Sequence, residues 1–260
     1  MKKKRLIAVI AAFAVVVALP AAALAQERDT TPREEVVNNG RSIERIKERA
    51  AEAIDRRLKT LDRLTEKVSQ SESMTLAHKD ELFADYVDAA RGLTVLGADI
   101  EAATTFEELR ELVPLIATDY RVYLVIAPKT HLVAISDRIG AGVPHFEEAL
   151  AKISEKIARA EEAGWDVAEA ARLLNEAEAN LAEGARLAAP VAGNVIGLDA
   201  SDWPDPADAT LMANREALRA SHAQLKAARE NAKAAIQALR DAAPDGAVDT
   251  AVTDTVTTDG

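Results

Sequence analysis

The strongest constraint on the fold is a seven-residue repeat near the C-terminus of the chain. Leucine or alanine occupies every seventh position from Leu211 to Leu239. The repeat consists of Leu211, Leu218, Leu225, Ala232 and Leu239, interleaved with Asn214, Ser221, Ala228 and Ala235. A repeat of this period places both sets along one side of an α-helix, as in a coiled coil. The small interleaved residues favour close antiparallel packing against neighbouring helices.

The preceding sequence also has the periodicity of helices. Ile54, Leu58, Leu61 and Val68 recur at helical spacing, and Thr75 is placed to cap the next helix. Thr105 and Glu108 have the spacing of a capping box, and Gly164 is placed as a C-terminal cap. We therefore predict an all-α protein: an elongated, coiled-coil-like antiparallel bundle of five to six helices over residues 42–243.

A glycine pair and a proline interrupt this pattern near the middle of the chain. Gly140 and Gly142 predict a helix stop, and Pro144 suits the first position of a new helix. A subdivision of the bundle near residues 140–144 is therefore an alternative to one continuous domain.

Both ends of the chain differ from the predicted bundle. Residues 1–25 combine a basic start, an apolar run and small residues before Ala25, which is typical of a signal peptide cleaved after that residue. Residues 26–41 are predicted to be a linker. Residues 244–260, rich in Thr and Asp, are predicted to form a disordered tail. We therefore expect a secreted, extracytoplasmic protein with no membrane span after cleavage.

Net charge and cysteine content exclude several kinds of partner and site. Four of the 32 Lys and Arg residues lie in the signal peptide, so 28 basic side chains remain against 43 acidic ones, a net charge of −15. Such an acidic surface disfavours nucleic acid and anionic lipid as partners. The chain contains no cysteine, which excludes disulfides and thiolate metal sites.

No sequence motif points to catalysis. The four histidines, His78, His131, His145 and His222, include no pair at helical i, i+3 or i, i+4 spacing. The chain lacks the zinc-protease, nucleophile-elbow and phosphate-loop signatures. We therefore predict that it is not an enzyme and needs no cofactor.

Residues 118–138, TDYRVYLVIAPKTHLVAISDR, are unusually rich in β-branched and aromatic residues. Charged residues interrupt the run, which excludes a membrane span. We predict a buried helix from about Pro114 to Ile139, kinked at Pro128. Its polar side chains would form either a structural network or a small ligand-binding cleft; they are Asp119, Tyr120, Arg121, Tyr123, Lys129 and His131.

Four aspartates at intervals of three, Asp199, Asp202, Asp205 and Asp208, lie in the connection before the last helix. Loops rich in oxygen ligands bind calcium, so this loop is a weak calcium candidate. The alternative is structural, with Asp205 capping the last helix and Asp208 favouring its positive end.

The segments RRLKTLDRLTEKV, LRELVPLIATDYR and DYRVYLVIAPKTHLV together resemble a recurrent pattern in predicted secreted helical proteins of actinobacteria. The resemblance covers roughly residues 45 to 138. It implies an exported helical protein and supplies neither catalytic residues nor a ligand.

Two functional hypotheses follow. The first is an exported, non-enzymatic bundle that binds a protein partner or an envelope component, with self-association as one form. The second is an extracytoplasmic module for a small ligand or metal ion, centred on the Pro128 kink or the Asp199–Asp208 loop.

Overall fold

The computed structural model describes residues 40–244. The predicted signal peptide, most of the predicted linker and all but the first residue of the predicted tail lie outside these residues. The described part of the chain contains helices and no strand, which confirms the all-α prediction. Five helices are longer than 20 residues, in agreement with the predicted five to six.

Short helical segments connect the five long helices. The α-helices are α1 (Gly40–Ser69), α2 (Leu76–Ala102), α3 (Phe106–Leu112), α4 (Leu115–Thr118), α5 (Ala127–Glu162), α6 (Ala168–Ala188), α7 (Val191–Val195) and α8 (Ala207–Asp241). A π-helical turn, π1 (Val122–Ile126), precedes α5, and a 3₁₀ turn, η1 (Ala200–Asp202), precedes α8. The connection between α6 and α8 therefore contains two short helical segments, α7 and η1.

The contacts within the chain divide it into two compact units. The first unit comprises residues 40–137 with Val191–Arg215, and the second comprises Arg138–Pro190 with residues 216–244. The boundaries fall within α5 and α8 and between α6 and α7. The predicted limits of the bundle stay predictions.

In the first unit, α1 and α2 form an antiparallel hairpin. Lys47 near the start of α1 donates to the carbonyl of Glu101 at the end of α2, at 2.7 Å. The start of α5 packs antiparallel to α2, because Tyr86 bonds Thr130 while His78 bonds Asp137. Val122 and Val125 of π1 are fully buried in this core.

In the second unit, α6 and α8 pack antiparallel through small residues. The hydroxyl of Ser221 donates to the carbonyl of Gly184 at 2.6 Å, and further along Asn231 bonds Glu176. The seven-residue repeat of α8 starts in the first unit with Leu211 and Asn214 and continues through the second. Eight of its nine residues are buried, and Leu239 is half-buried. The predicted close packing of this helix is therefore confirmed.

Three predicted helix ends are confirmed. The hydroxyl of Thr75 accepts from the backbone of His78, and Thr105 and Glu108 form a complete capping box. Gly164 has a φ of +83°, and Trp165 donates to the carbonyl of Ala160 at 3.0 Å. Local side-chain chemistry decides these ends, which explains why sequence alone predicts them.

The predicted continuous helix from Pro114 to Ile139 is wrong, because the chain leaves the helical conformation at Arg121. The kink predicted at Pro128 stays a prediction. Arg121 has a left-handed backbone, with φ 38° and ψ 42°, and separates α4 from π1. A left-handed residue cannot continue a right-handed helix. Pro128 is the second residue of α5, which continues directly from π1: the N–H of Ala127 bonds the carbonyl of Val122, and Pro128 has no N–H with which to continue the ladder.

The predicted helix stop at Gly140 and restart at Pro144 are also wrong, because α5 runs through both. Glycine permits a left-handed cap but does not require one, and Gly140 does not have a positive φ. Pro144 leaves the carbonyl of Gly140 without its helical donor, a local defect that the long helix tolerates.

Replacement of Gly140 by alanine is expected to stabilise the second unit by about 0.5–1 kcal/mol. A Cβ atom there would meet nothing within 4 Å, and alanine loses less backbone entropy in a helix. Chemical denaturation, followed by the fluorescence of Trp165 in a Trp203→Phe background, measures the change. Gly164→Ala is the matched control and is expected to destabilise by about 1–2 kcal/mol, because its φ is positive. Destabilisation by Gly140→Ala would contradict a continuous α5.

Candidate functional site

The most unusual polar group in the first unit is a buried lysine. The side chain of Lys129 is 2% exposed, and its ammonium lies 2.5 Å from Oδ2 of Asp85 on α2. It also donates to the carbonyls of Ile196 at 3.0 Å and Leu198 at 2.6 Å. The ammonium thus has one carboxylate as its ion-pair partner and two carbonyls as hydrogen-bond acceptors. This arrangement connects α5, α2 and the segment after α7 through one buried side chain. We call Lys129, Asp85 and the two carbonyls the lysine cluster.

Each element supplies one part of the lysine cluster for a local reason. Lys129 lies in the first turn of α5, and Asp85 is on the face of α2 that looks toward α5. The carbonyls of Ile196 and Leu198 follow the end of α7, where carbonyl groups lack helical donors. The cation of Lys129 satisfies them and attaches this connection to the helices.

Burial of the lysine cluster makes ionisation of the Asp85 carboxyl group less favourable. Burial raises its pKa above the usual range, although the hydrogen bond and charge of Lys129 act in the opposite direction. The nearby charges of Glu81 and Asp199 add to the increase. The attraction of Lys129 offsets only part of the free energy that burial of the carboxylate costs. Removal of either charged partner is therefore expected to lower the stability of the fold.

A second polar contact adjoins the lysine cluster. The hydroxyl of Thr130 donates to the carbonyl of Ile126 at 2.8 Å, so the hydroxyl of Tyr86 is the donor in its 2.6 Å bond to Thr130. Burial raises the pKa of Tyr86 above its ordinary value. This pair satisfies two buried hydroxyl groups inside the core.

A third polar contact fixes the start of α2. The carboxylate of Asp137 accepts from Nδ1 of His78 at 2.8 Å and from the backbone N–H of Thr75 at 3.0 Å. Nδ1 is the donor, because an ionised carboxylate has no proton to give. Asp137 therefore clamps the capped end of α2 to α5.

The structure separates most of the six polar residues predicted to form a network. Asp119 is exposed and accepts from Thr118, and the ring of Tyr120 packs against Gly92. The guanidinium carbon of Arg57 lies 5.2 Å from the centre of the Tyr123 ring.

The remaining three members also have separate surroundings. Arg121 is half-buried, and its Nε atom is buried without a hydrogen-bond partner. The charge of Lys67 on α1 acts on His131, while Lys129 belongs to the lysine cluster. No hydrogen bond or ion pair within the described residues joins two of the six. Their predicted mutual network is therefore absent from this part of the chain.

The pKa of His131 is lowered, first by burial and second by the charge of Lys67. A histidine with a depressed folded pKa contributes stability above its unfolded pKa of about 6.5, and this stability is lost as pH falls through the folded pKa. His131→Gln is therefore expected to flatten the fall in stability of the first unit below about pH 6.5. Denaturation at a series of pH values, followed by Trp203 fluorescence in a Trp165→Phe background, tests this expectation.

Two variants serve as comparisons for His131→Gln. Lys67→Gln should reduce the same slope by less, because it removes only the second cause. His145→Gln lies in the second unit and should leave the first unit unaffected. An unchanged slope in His131→Gln would show that this residue does not set the pH dependence.

Two of the four aspartates in the connection before α8 accept hydrogen bonds from backbone N–H groups. Asp199 accepts from the backbone N–H of Ser201 at 2.7 Å, and Asp202 accepts from that of Asp199 at 2.9 Å, which completes a capping box for η1. The helix α8 begins at Ala207, and Asp208 lies in its first turn. The described residues contain no group of three or more His, Asp or Glu side chains placed to hold a metal ion. The four aspartates therefore do not converge as a calcium site.

The structure nevertheless joins the two regions that the sequence suggested separately. Lys129 from the 118–138 stretch binds the carbonyls that immediately precede Asp199. The sequence did not reveal Asp85 as the partner, since carboxylates are abundant on every predicted helix. Every residue has a backbone carbonyl group, so the sequence does not show which carbonyls accept from Lys129.

Two shallow grooves lie within the units. The larger, of about 320 Å³, lies between α1 and α2, with Ile54, Leu93 and Gly97 in its lining. The other, of about 240 Å³, lies between α5 and α6 beside Leu150 and Leu181. Neither is lined by the six predicted polar residues or by the lysine cluster.

Comparisons with known proteins leave the family open. No protein-family model, curated protein or solved structure matches the chain. The resemblance to secreted actinobacterial helical proteins therefore stays a hypothesis. Within residues 40–244, none of the helices has the length and apolar character needed to span a membrane.

Proposed function

We propose that this chain is an exported, non-enzymatic helical-bundle protein that acts through contacts with a protein partner or an envelope component. The observation that carries this proposal is the distribution of exposed apolar side chains. Six large ones are exposed in the described part of the chain, and all six belong to the first unit. They are Leu76, Val87, Val95, Phe106, Leu124 and Met212.

Their degree of exposure supports this interpretation. Leu76 is 77% exposed and Met212 is 61% exposed, so both present apolar side-chain surface to solvent. Single exposed apolar residues are common on soluble proteins, whereas all six of these lie in one of the two units. The first unit is therefore the proposed contact unit.

The internal pairing of polar groups agrees with a role in binding through the surface. The ammonium of Lys129 and the carboxylate of Asp137 both bind groups of neighbouring helices in the first unit. The alternative of a ligand or metal module relies on residues that lie apart in the first unit, and no observation favours it over surface contacts.

Site-specific photo-crosslinking in the native host tests the contact proposal. A photoreactive phenylalanine analogue at Phe106 or at Met212 is expected to capture a reproducible partner, because both side chains are exposed in the first unit. The same analogue at Lys152, an exposed position of the second unit, is the matched control. Equal capture at Lys152, or no reproducible adduct at Phe106 and Met212, would overturn the proposal.

Export is tested separately by mass. The product recovered outside the cytoplasm is expected to begin at Gln26, because the sequence predicts cleavage after Ala25. Recovery of the full-length chain in the cytoplasm alone would contradict export and leave the contact proposal to be judged by the crosslinks.

A further inference from the structure

The helix α2 has two faces with different surroundings. Its inner face is buried in the first unit and includes Leu82, Leu93 and Ile100. Its outer face carries a second seven-residue repeat whose members are all exposed. These members, which we call the outer seam, are Ala77, Asp80, Ala84, Val87, Arg91, Thr94 and Ala98.

The outer seam has the form of a coiled-coil interface without a covering helix. Its residues alternate at steps of three and four, which keeps them on one line along the helix. Val87 is 54% exposed, and Val95 beside the seam is 57% exposed. Half of the large exposed apolar residues of the described chain thus belong to this one helix, when Leu76 at its start is included.

We infer that the outer seam pairs with the outer seam of a second copy of this chain in an antiparallel dimer, with Ala84 of one copy opposite Val87 of the other. This inference rests on the proposed function and names the partner of one contact surface. In a two-fold dimer every contact occurs twice, so the pairing must be self-complementary.

The charges of the seam satisfy that requirement. With Ala84 opposite Val87, Asp80 of each copy lies opposite Arg91 of the other, and Ala77 lies opposite Thr94. Two apolar layers at the centre are therefore flanked on both sides by layers of opposite charge. Among residues 40–244, the ion-pair partner of Arg91 is the exposed Asp88 of its own helix, at 3.4 Å, and such exposed pairs contribute little.

Other pairings of the same seam are less favourable. A parallel dimer places Asp80 against Asp80 and Arg91 against Arg91, which is repulsive at both layers. An antiparallel register shifted by one seven-residue step places Arg91 against Val87 and Asp80 against Ala98, which removes both ion pairs. Charge thus selects one orientation and one register.

Crosslinking tests the register directly, since the native sequence has no cysteine. In the proposed dimer the two copies of position 84 are offset along the helix axis by about 4.5 Å, and those of position 98 by about 38 Å, at a rise of about 1.5 Å per residue. A short bis-maleimide is therefore expected to join two chains of Ala84→Cys and not two chains of Ala98→Cys. Equal crosslinking at both positions would overturn the register.

Charge reversal tests the pairing in solution. Asp80→Arg or Arg91→Asp alone is expected to weaken the dimer at least about 100-fold in sedimentation, because each puts like charges together twice. The double variant restores opposite charges and is expected to dimerise like the native chain. Asp99→Arg, exposed on α2 outside the seam, is the matched control and should leave the dimer intact.

The outcomes separate this inference from the proposed function. A chain that stays monomeric at every concentration, or a double variant that fails to recover, would overturn the dimer. Capture of a different protein at Phe106 or Met212 by such a monomer would leave the proposed function standing. Far-UV circular dichroism of each variant confirms folding, since all the changed side chains are exposed.

Discussion

Replacement of Asp85 by alanine is expected to destabilise the first unit by about 3–5 kcal/mol. The change leaves the ammonium of Lys129, whose side chain is 2% exposed, with two carbonyl acceptors and no opposing charge. Breaking a buried ion pair from one side has this cost because the remaining charge cannot regain its water. Denaturation by urea, followed by the fluorescence of Trp203 in a Trp165→Phe background, measures the effect in the first unit.

The double variant Asp85→Ala with Lys129→Met is expected to be more stable than Asp85→Ala alone by at least about 1 kcal/mol. It removes both charges, and burial already makes ionisation of Asp85 unfavourable, as the raised pKa of its carboxyl group indicates. The matched control is Asp55→Ala on α1. Asp55 pairs with Lys59 at the surface, where both side chains are more than half exposed, so a change below about 0.5 kcal/mol is expected.

Two results would contradict this account of the lysine cluster. One is a loss of stability in Asp85→Ala no larger than that in Asp55→Ala. The other is strict additivity of the two changes in the double variant, since residues in one buried network are expected to couple.

Replacement of Gly184 by valine is expected to destabilise the second unit by about 3 kcal/mol or more. A Cβ atom at Gly184 would lie 2.8 Å from the side chain of Leu225 and 3.2 Å from the carbonyl oxygen of Ser221. The carbonyl belongs to the backbone of α8 and cannot move without separating the two helices. Trp165 fluorescence in a Trp203→Phe background reports unfolding of this unit.

A double-mutant cycle identifies the cause of that loss. Gly184→Ala alone is expected to destabilise, although alanine favours helix by about 1 kcal/mol over glycine. In a Leu225→Ala background the same change should cost less, because the contact with Leu225 is gone. An identical cost in both backgrounds would mean that the contact between α6 and α8 is not responsible. Gly140→Ala, in the same unit, provides the comparison in which no neighbour interferes.

The sequence predicted features that depend on near neighbours along the chain. Thr75, the Thr105 capping box and Gly164 all end or begin helices as expected, because each acts on backbone groups within a few residues. The same reasoning failed where one local signal had two meanings. Gly140 and Pro144 permit a helix break but do not require one, and Arg121 gives no sequence sign of a left-handed backbone.

The candidate site was predicted only in part, and for a similar reason. Lys129 was recognised as a polar residue in an apolar stretch, but its partners are a carboxylate 44 residues earlier along the chain and two backbone carbonyls far later. Nothing in the sequence distinguishes Asp85 from the other carboxylates of α2. The predicted association of Lys129 with Tyr120, Arg121 and His131 followed from closeness in sequence. The left-handed break at Arg121 and the helical geometry of α5 instead direct these side chains to different neighbours.

The sequence by itself determined that this chain is helical, where its periodic faces lie, and which residues cap several helices. Periodicity and capping are set by bonds and spacings within about one helical turn, so no tertiary information is needed to read them. Only the tertiary structure decided that Lys129 is buried against Asp85 and two carbonyls. It also decided that Leu225 packs directly against Gly184 and that the outer seam of α2 is exposed. Each of these depends on which faces meet across long separations, and composition allows many pairings among similar helices.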